Sequence, residues 1–308
     1  MTLRLGTRGS ALALAQSGTV AEAIAAATGE RIELVEITTD GDRSAAPVQQ
    51  LGVGVFVSAL REALHAKEID FAVHSYKDLP TAPADGLVVA AIPLRDDPRD
   101  ALVSRTGLLL AELPPGTRIG TGAPRRVAQV LALGRGLVCV PLRGNVDTRL
   151  RKVAEGEVDA IIVASAGLRR LGRASEITEI LDPMLMLPAP AQGALAVECR
   201  AADGGLADLL ASVDDEHTRA TVTAERSLLA TLEAGCSAPV AALADVAETD
   251  DGSWEIYLRG AVLSRDGEAA VRLSGTGPLV EAAEVGARLA AELLSEGAAA
   301  IGDLGSHR

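Results

Sequence analysis

The sequence predicts an α/β protein with two similar lobes and a smaller C-terminal α/β domain built on an antiparallel sheet. Three observations carry this. Short apolar runs alternate with helical patterns from residue 2 to about 212, the rhythm of mostly parallel sheets flanked by helices. Two pairs of segments recur in the same order: RLGTRGS (4–10) with RIGTGAP (118–124), and KEIDFAV (67–73) with GEVDAII (156–162). After about residue 213 the alternation gives way to one long helical pattern and then a hairpin pattern.

Each element follows in turn. LRLG reads as a strand leading into SALALAQSGTVAEAIAAATG, a helix that Ser10 can N-cap and Gly29 can end. RIELVEITT is a strand rich in β-branched residues, VFVSALREALHAKE is helical, and IDFAVHS is again a strand. The rhythm returns with strands TRIGTG, GLVCVPLRG and VDAIIVAS, between which APRRVAQVLAL and NVDTRLRKVAEG read as helices. DDEHTRATVTAERSLLATLEAG is one helix, with Asp214 and Asp215 at its positive end and Gly235 at C′. SWEIYLRGAVLS, RDG and EAAVRLSGTG form a hairpin pattern, and an amphipathic helix covers about 278–295. Ligands of such sheets bind beyond the carboxyl ends of strands, so the two lobes are expected to share a cleft there.

Composition narrows the function. Aromatics at 2 % leave too few rings for a single-strand stacking platform, and a net charge of −13 argues against DNA or anionic membranes as partners. Inside this acidic chain, residues 118–173 hold ten arginines and Lys152 against Asp147, Glu155, Glu157 and Asp159. Such a zone suits a small polyanion better than a long polymer. Cys139, Cys199 and Cys236 show no metal-ligand spacing, so neither a disulfide framework nor structural zinc is expected, and a reducing cytoplasm fits. Gly6 to Ser10 interrupt the first apolar stretch, so no signal peptide is expected, and no apolar run reaches membrane-spanning length.

Three stretches can carry chemistry. AVHSYKDLP (72–80) gathers His74, Ser75, Lys77 and Asp78 at the carboxyl end of a predicted strand. Asp78 there can exchange protons or accept an N–H bond; the bland reading is a polar loop bonding its own backbone. GTGAPRR puts Thr121 at a strand end, Pro124 at a helix N1 and Arg125 and Arg126 in the first turn. Arginine in a first turn opposes the helix dipole and needs a compensating anion, which points to a carboxylate or phosphate ligand unless the pair is simply solvated. Arg8 before the Ser10 cap offers a similar cradle, and Arg143 and Arg149 flank another strand-to-helix turn. No G-x-x-x-x-G-K-[ST] phosphate loop is present. Cys236 follows a helix C-terminus, whose negative end works against a standing thiolate. It reads either as a small buried hydrophobe or as a thiol alkylated once and kept.

RLGTRGSALALAQ, VHSYKDLP, RDDPRDALVS, GTGAPRR, LRGNVDTRL, DAIIVASAGLRRLG, LPAPAQGALAVECR and TAERSLLATLEAGCSAP resemble, in order, the motifs of the hydroxymethylbilane synthase (porphobilinogen deaminase) family. The resemblance spans nearly the whole chain. It implies three domains, 1–94 with 190–213, 95–189 and 214–308, the first two like a periplasmic-binding-protein pair around a cleft. It implies a transferase that joins four porphobilinogen molecules head to tail into linear hydroxymethylbilane, losing ammonia at each step, on the route to haem. It implies a dipyrromethane cofactor held by a thioether to Cys236. Asp78 matches the catalytic aspartate, which would stabilise the cation left when ammonia departs and shuttle protons. Ser10, Ser75, Lys77, Thr121, Arg125 and Arg126 match cofactor-binding positions; Arg8, Arg143, Arg149, Arg170 and Gln192 match substrate-binding ones. No metal, nucleic acid or membrane partner is implied, and a cytoplasmic monomer is expected. The chain departs from the family pattern at Val53, where many members carry lysine, and at Gly122 and Ala123, where others have serines. A non-catalytic two-lobed anion-binding protein would share the lobes and arginines but leaves GCSAP unexplained. A nucleotide-dependent enzyme lacks its phosphate loop.

Overall fold

The computed structural model describes residues 2–38, 55–233, 238–302 and 304; Val53, Gly235 and Cys236 lie outside them. In chain order the elements are β1 (Thr2–Thr7), α1 (Ala11–Thr28), β2 (Arg31–Glu36), α2 (Val55–His65), β3 (Phe71–Ser75), β4 (Leu87–Ala91), β5 (Asp100–Ser104), β6 (Arg118–Gly120), α3 (Pro124–Ala132), β7 (Val138–Val140), α4 (Val146–Ala154), β8 (Ala160–Ala164), α5 (Ser165–Arg170) and β9 (Glu179–Ile180). They continue with β10 (Leu195–Arg200), α6 (Gly204–Leu210), α7 (Glu216–Thr231), β11 (Val240–Glu248), β12 (Trp254–Leu263), β13 (Ala270–Pro278), α8 (Ala282–Ser295) and α9 (Ala298–Ile301). The chain divides into two compact units, Met1–Asp96 with Gly193–Arg219, and Asp97–Gln192 with Ala220–Arg308.

The first unit holds a mixed sheet of order β2-β1-β3-β10-β4. β1 runs parallel to β2 and β3, while β10 returns after the chain has built β5 to β9 and lies antiparallel between β3 and β4. Leu3, Leu5, Val20, Ile24, Phe71 and Val197 fill one face of its core. Ser10 caps α1 by accepting the Ala13 N–H at 3.3 Å, and Gly29 closes the helix at φ 75 with its N–H on the Ala25 carbonyl.

The second unit repeats that order as β7-β6-β8-β5-β9, with β5 in the antiparallel place that β10 takes in the first sheet. The recurring sequence segments are β1 with β6 and β3 with β8. The repeat reaches single contacts. Asp70 accepts from the backbone and guanidinium of Arg4, and Asp159 does the same for Arg118. Each aspartate pins the start of its two parallel strands together.

The same unit carries the antiparallel sheet β11-β12-β13, backed by α7 and α8 through Leu228, Ile256, Leu258, Val262, Leu289 and Leu293. The hairpin pattern marked only two of its three strands. β11, with sequence VAALADVAE, is rich in alanine rather than in the β-branched and aromatic residues that mark a strand. On the sheet's other face Ala241, Leu243, Ala261 and Leu263 pack on Ala128 of α3 and on Leu187. Gly267, at φ 75 in the β12–β13 turn, lets the hairpin touch α3, since a Cβ there would lie 2.4 Å from the Ala128 carbonyl. Asp215 caps α7 by accepting the Thr218 N–H. Among the described residues after α7, Glu233 is left-handed at φ 49, and the expected C′ residue, Gly235, lies outside them. No helix among the described residues is long and apolar enough to cross a membrane.

Candidate active site

In the first unit, β3 ends at Ser75 and the chain makes one 3-10 turn, Tyr76–Asp78, before buried Leu79 anchors it again. The turn leaves the Asp78 side chain exposed, and among the described residues it has no hydrogen-bond or ion-pair partner. A shallow cavity lined by Arg8, Gln16, His74, Ser75 and Asp78 opens beside it. Gln16 of α1 donates to the Ser75 hydroxyl at 3.0 Å and fixes the strand end. Lys77 is half-buried on the same turn, and Ser10, whose hydroxyl is engaged in the α1 cap, lies at the start of the helix.

Two residues behind this surface had no signal in the sequence. Glu198 on β10 sits 3.2 Å from the buried His74 ring and accepts both the Nε and Nη2 protons of Arg61 from α2. Burial pushes its carboxyl up, but His74 and Arg61 outweigh burial and hold it below the usual range.

In the second unit, Pro124 takes N1 of α3 and brings Arg125 and Arg126 into the first turn. Both arginines are buried, which rules out the solvated pair. Asp100, the first residue of β5 and fully buried, supplies the anion their position requires. Arg125 Nη1 donates to one of its oxygens at 2.8 Å, and Arg126 Nη2 donates to the other at 2.8 Å. Gln192 completes the group: its Nε2 donates to Asp100 at 2.9 Å and its Oε1 accepts from Arg126 at 3.3 Å. Burial pushes the Asp100 carboxyl up, yet the two guanidinium groups hold it far below its ordinary value. Burial pushes Arg125 down, against the pull of Asp100.

The remaining arginines differ. Arg149 donates to the Gly144 carbonyl at 2.9 Å and meets no carboxylate among the described residues; burial and then Arg126 depress its pKa. Arg143 is exposed and has no partner among the described residues. Arg170 is half-buried at the end of α5. The four acids of the basic span are engaged elsewhere: Asp159 with Arg118, Glu155 with Arg151, Glu157 with Lys152 and Asp147 with Arg173. Local acids therefore do not neutralise Arg143 or Arg149.

Thr121 is buried beneath this turn, and its hydroxyl accepts the Ala123 N–H at 3.4 Å. A Cβ at Gly122 would lie 3.1 Å from the Leu142 carbonyl, so a serine there would have to push backbone aside. Ala123 occupies the N-cap of α3 and offers no side-chain acceptor. Cys236 lies outside the described residues. Sequence alone does not single out Asp100 among the acids of RDDPRDALVS, although two arginines opposing a helix dipole call for an anion.

Comparison with known proteins agrees along the chain. Residues 3–208 match the family model of the porphobilinogen deaminase dipyrromethane cofactor-binding domain, and residues 219–295 match that of the porphobilinogen deaminase C-terminal domain. The porphobilinogen deaminase of Nocardia farcinica is 60% identical over 300 residues, 96% of this chain and 86% of that protein. Those of Mycolicibacterium paratuberculosis and Mycobacterium tuberculosis are 59% and 58% identical, covering 95% and 97% of their own lengths and 96% of this chain. Among solved structures, the methionine binding protein MetQ aligns with a TM-score of 0.44 at 12% identity, covering 69% of this chain and 89% of that one. Immunogenic lipoprotein A from Vibrio vulnificus aligns at 0.42 and 14%, covering 70% and 96%. Matched through both family domains and nearly end to end by its relatives, the chain belongs to the porphobilinogen deaminase family.

Proposed function

We propose that this chain condenses four porphobilinogen molecules into linear hydroxymethylbilane, with Asp78 at the reacting centre and the arginines gripping carboxylates. The observation that carries the reading is that Arg143 and Arg149 meet no carboxylate among the described residues, with Arg149 close enough to Arg126 to feel its charge. Each pyrrole ring of substrate and product bears an acetate and a propionate. A growing chain is thus a polyanion that needs cations not already spent on internal carboxylates. The same donor set fits a dipyrromethane, whose side chains are of this kind. Ser10, Ser75, Lys77 and Thr121 would hold it, with Arg125 and Arg126 contributing the guanidinium N–H groups that Asp100 does not take and Cys236 as its thioether anchor. When bound, that group supplies the pyrrole carbon on which the chain starts.

The residues then divide the work. The C–N bond of the substrate's protonated aminomethyl group breaks, ammonia leaves with the electron pair, and positive charge spreads over the pyrrole ring. Asp78 accepts the pyrrole N–H and balances that charge with its own. As the new C–C bond forms, the attacked pyrrole carbon loses a proton, which the Asp78 carboxylate takes and passes to water. Having no partner among the described residues, the Asp78 carboxylate is available for both tasks. Arg8, Arg143, Arg149, Arg170 and Gln192 orient the incoming ring and the chain.

We read the enzyme as a cytoplasmic monomer, in keeping with a long acidic chain whose cysteines show no disulfide spacing. Incubation with porphobilinogen tests the reaction: hydroxymethylbilane and ammonia should appear in a 1:4 ratio, within about a tenth, as four C–N bonds break per product. Binding without ammonia release would leave an anion-binding protein instead.

A further inference from the structure

Glu225 on α7 is fully buried and has been given no role above. One of its oxygens accepts the Ala191 N–H at 2.6 Å, and the other accepts the Ala244 N–H of β11 at 2.8 Å. Ala191 is held in the left-handed region at φ 59, a conformation that a residue with a Cβ resists. The next residue is Gln192, which bonds Asp100, Arg126 and the Pro98 carbonyl. The neighbouring segment is tied at both ends to the same surroundings: Arg125 donates to the Leu187 carbonyl, and Ala242 of β11 donates to that of Pro188.

We propose that Glu225 is a positioning residue for the arginine group. Its carboxylate holds Ala191 in the left-handed turn, the turn aims Gln192 at Asp100 and Arg126, and the antiparallel sheet thereby sets the geometry of the carboxylate grip. Without the tether, Ala191 relaxes toward ordinary backbone angles and Gln192 swings off the ion pair. The role rests on the reading of Gln192 and Arg149 as part of the grip on substrate carboxylates.

The test compares Glu225→Gln, which leaves one acceptor for two donors, and Glu225→Ala, which leaves none, each in the wild-type and Ala191→Gly backgrounds. All proteins carry cofactor, checked by intact mass. Amide exchange across residues 187–192 should speed up in both single variants, more so in Glu225→Ala. The KM for porphobilinogen should rise about tenfold in Glu225→Ala, with kcat changed by less than about threefold. In the Ala191→Gly background the KM shift should fall below about threefold, because glycine takes the left-handed turn without a tether. Should Glu225→Ala fail to fold, Glu225→Gln carries the same comparison. Unchanged exchange, an equal KM shift in both backgrounds, or a kcat loss that only follows the melting temperature would overturn the role. An Arg149→Leu enzyme with wild-type KM would instead sink the grip, leaving the exchange result to decide the tether.

Discussion

Asp100 lies 2.8 Å from the guanidinium of Arg126, and almost no water reaches either side chain. Its second oxygen faces Arg125 in the same way. Removing one partner of a buried pair leaves an uncompensated charge at a cost of about 3–5 kcal/mol. Asp100→Asn strands two cations and should lose stability on that scale in urea unfolding. Arg126→Leu strands only part of the carboxylate's bonding, but it too mixes a fold defect with a binding defect. The Asp100 carboxyl is held below its unfolded value, so its contribution is complete above the unfolded pKa near ~3.9 and is lost as pH falls below that. The Asn variant should therefore show a shallower loss of stability below about pH 4. Wild-type stability in Asp100→Asn would refute the account of the pair.

Much of the first two sheets was legible because the duplication left matching marks in both. RLG and RIG became β1 and β6, and the aspartates of KEIDF and GEVDA became the partners of Arg4 and Arg118. Ser10, Gly29 and Pro124 did what their backbone chemistry predicts. What sequence could not reveal depends on distant partners. The antiparallel entry of β10 is set where the chain returns to the first sheet. Asp100 and Glu225 look like ordinary acids until folding buries them against donors 25 and 34 residues away. Asp78, Arg143 and Arg149 were visible by type and position, but only the structure separates them from the spent charges around them.

Arg143 and Arg149 allow a cleaner test of the grip than the buried pair. Neither meets a carboxylate among the described residues, so Arg143→Leu and Arg149→Leu should leave unfolding midpoints close to wild type. A charge-assisted hydrogen bond is worth about 1.5–3 kcal/mol, so each should raise the KM for porphobilinogen tenfold or more. The wild-type KM should itself climb with added salt, as the Debye length shortens from ~10 Å at 0.1 M toward ~3 Å at 1 M. Salt-independent kinetics together with unchanged KM values would place substrate carboxylates elsewhere.

Asp78→Asn keeps the size of the side chain and removes its charge. The residue is exposed and unpartnered among the described residues, so the fold and melting temperature should stay unchanged. Turnover should fall by far more than tenfold, because both the balancing charge and the proton acceptor are gone. A loss below tenfold, under ~1.4 kcal/mol of barrier, would make Asp78 a structural residue of the 3-10 turn.

The thioether assignment separates three cysteines by chemistry. Cys199 is buried in β10, and burial above all pushes its thiol up to about 11. Cys139 in β7 is half-buried, and burial raises its thiol too. Thiolate is the form that is alkylated, so both resist modification at neutral pH. Cys236 is the remaining candidate and the proposed anchor. Freshly purified enzyme should then show an intact mass above that of its sequence by one dipyrromethane unit. Reducing agents should not remove the added mass, since a thioether is not a disulfide. Cys236→Ser should lose the adduct and the activity together, whereas Cys139→Ser should keep the adduct even if β7 packs less well. Active enzyme of unmodified mass would refute the anchor at Cys236, and with it the primed mechanism proposed for this chain.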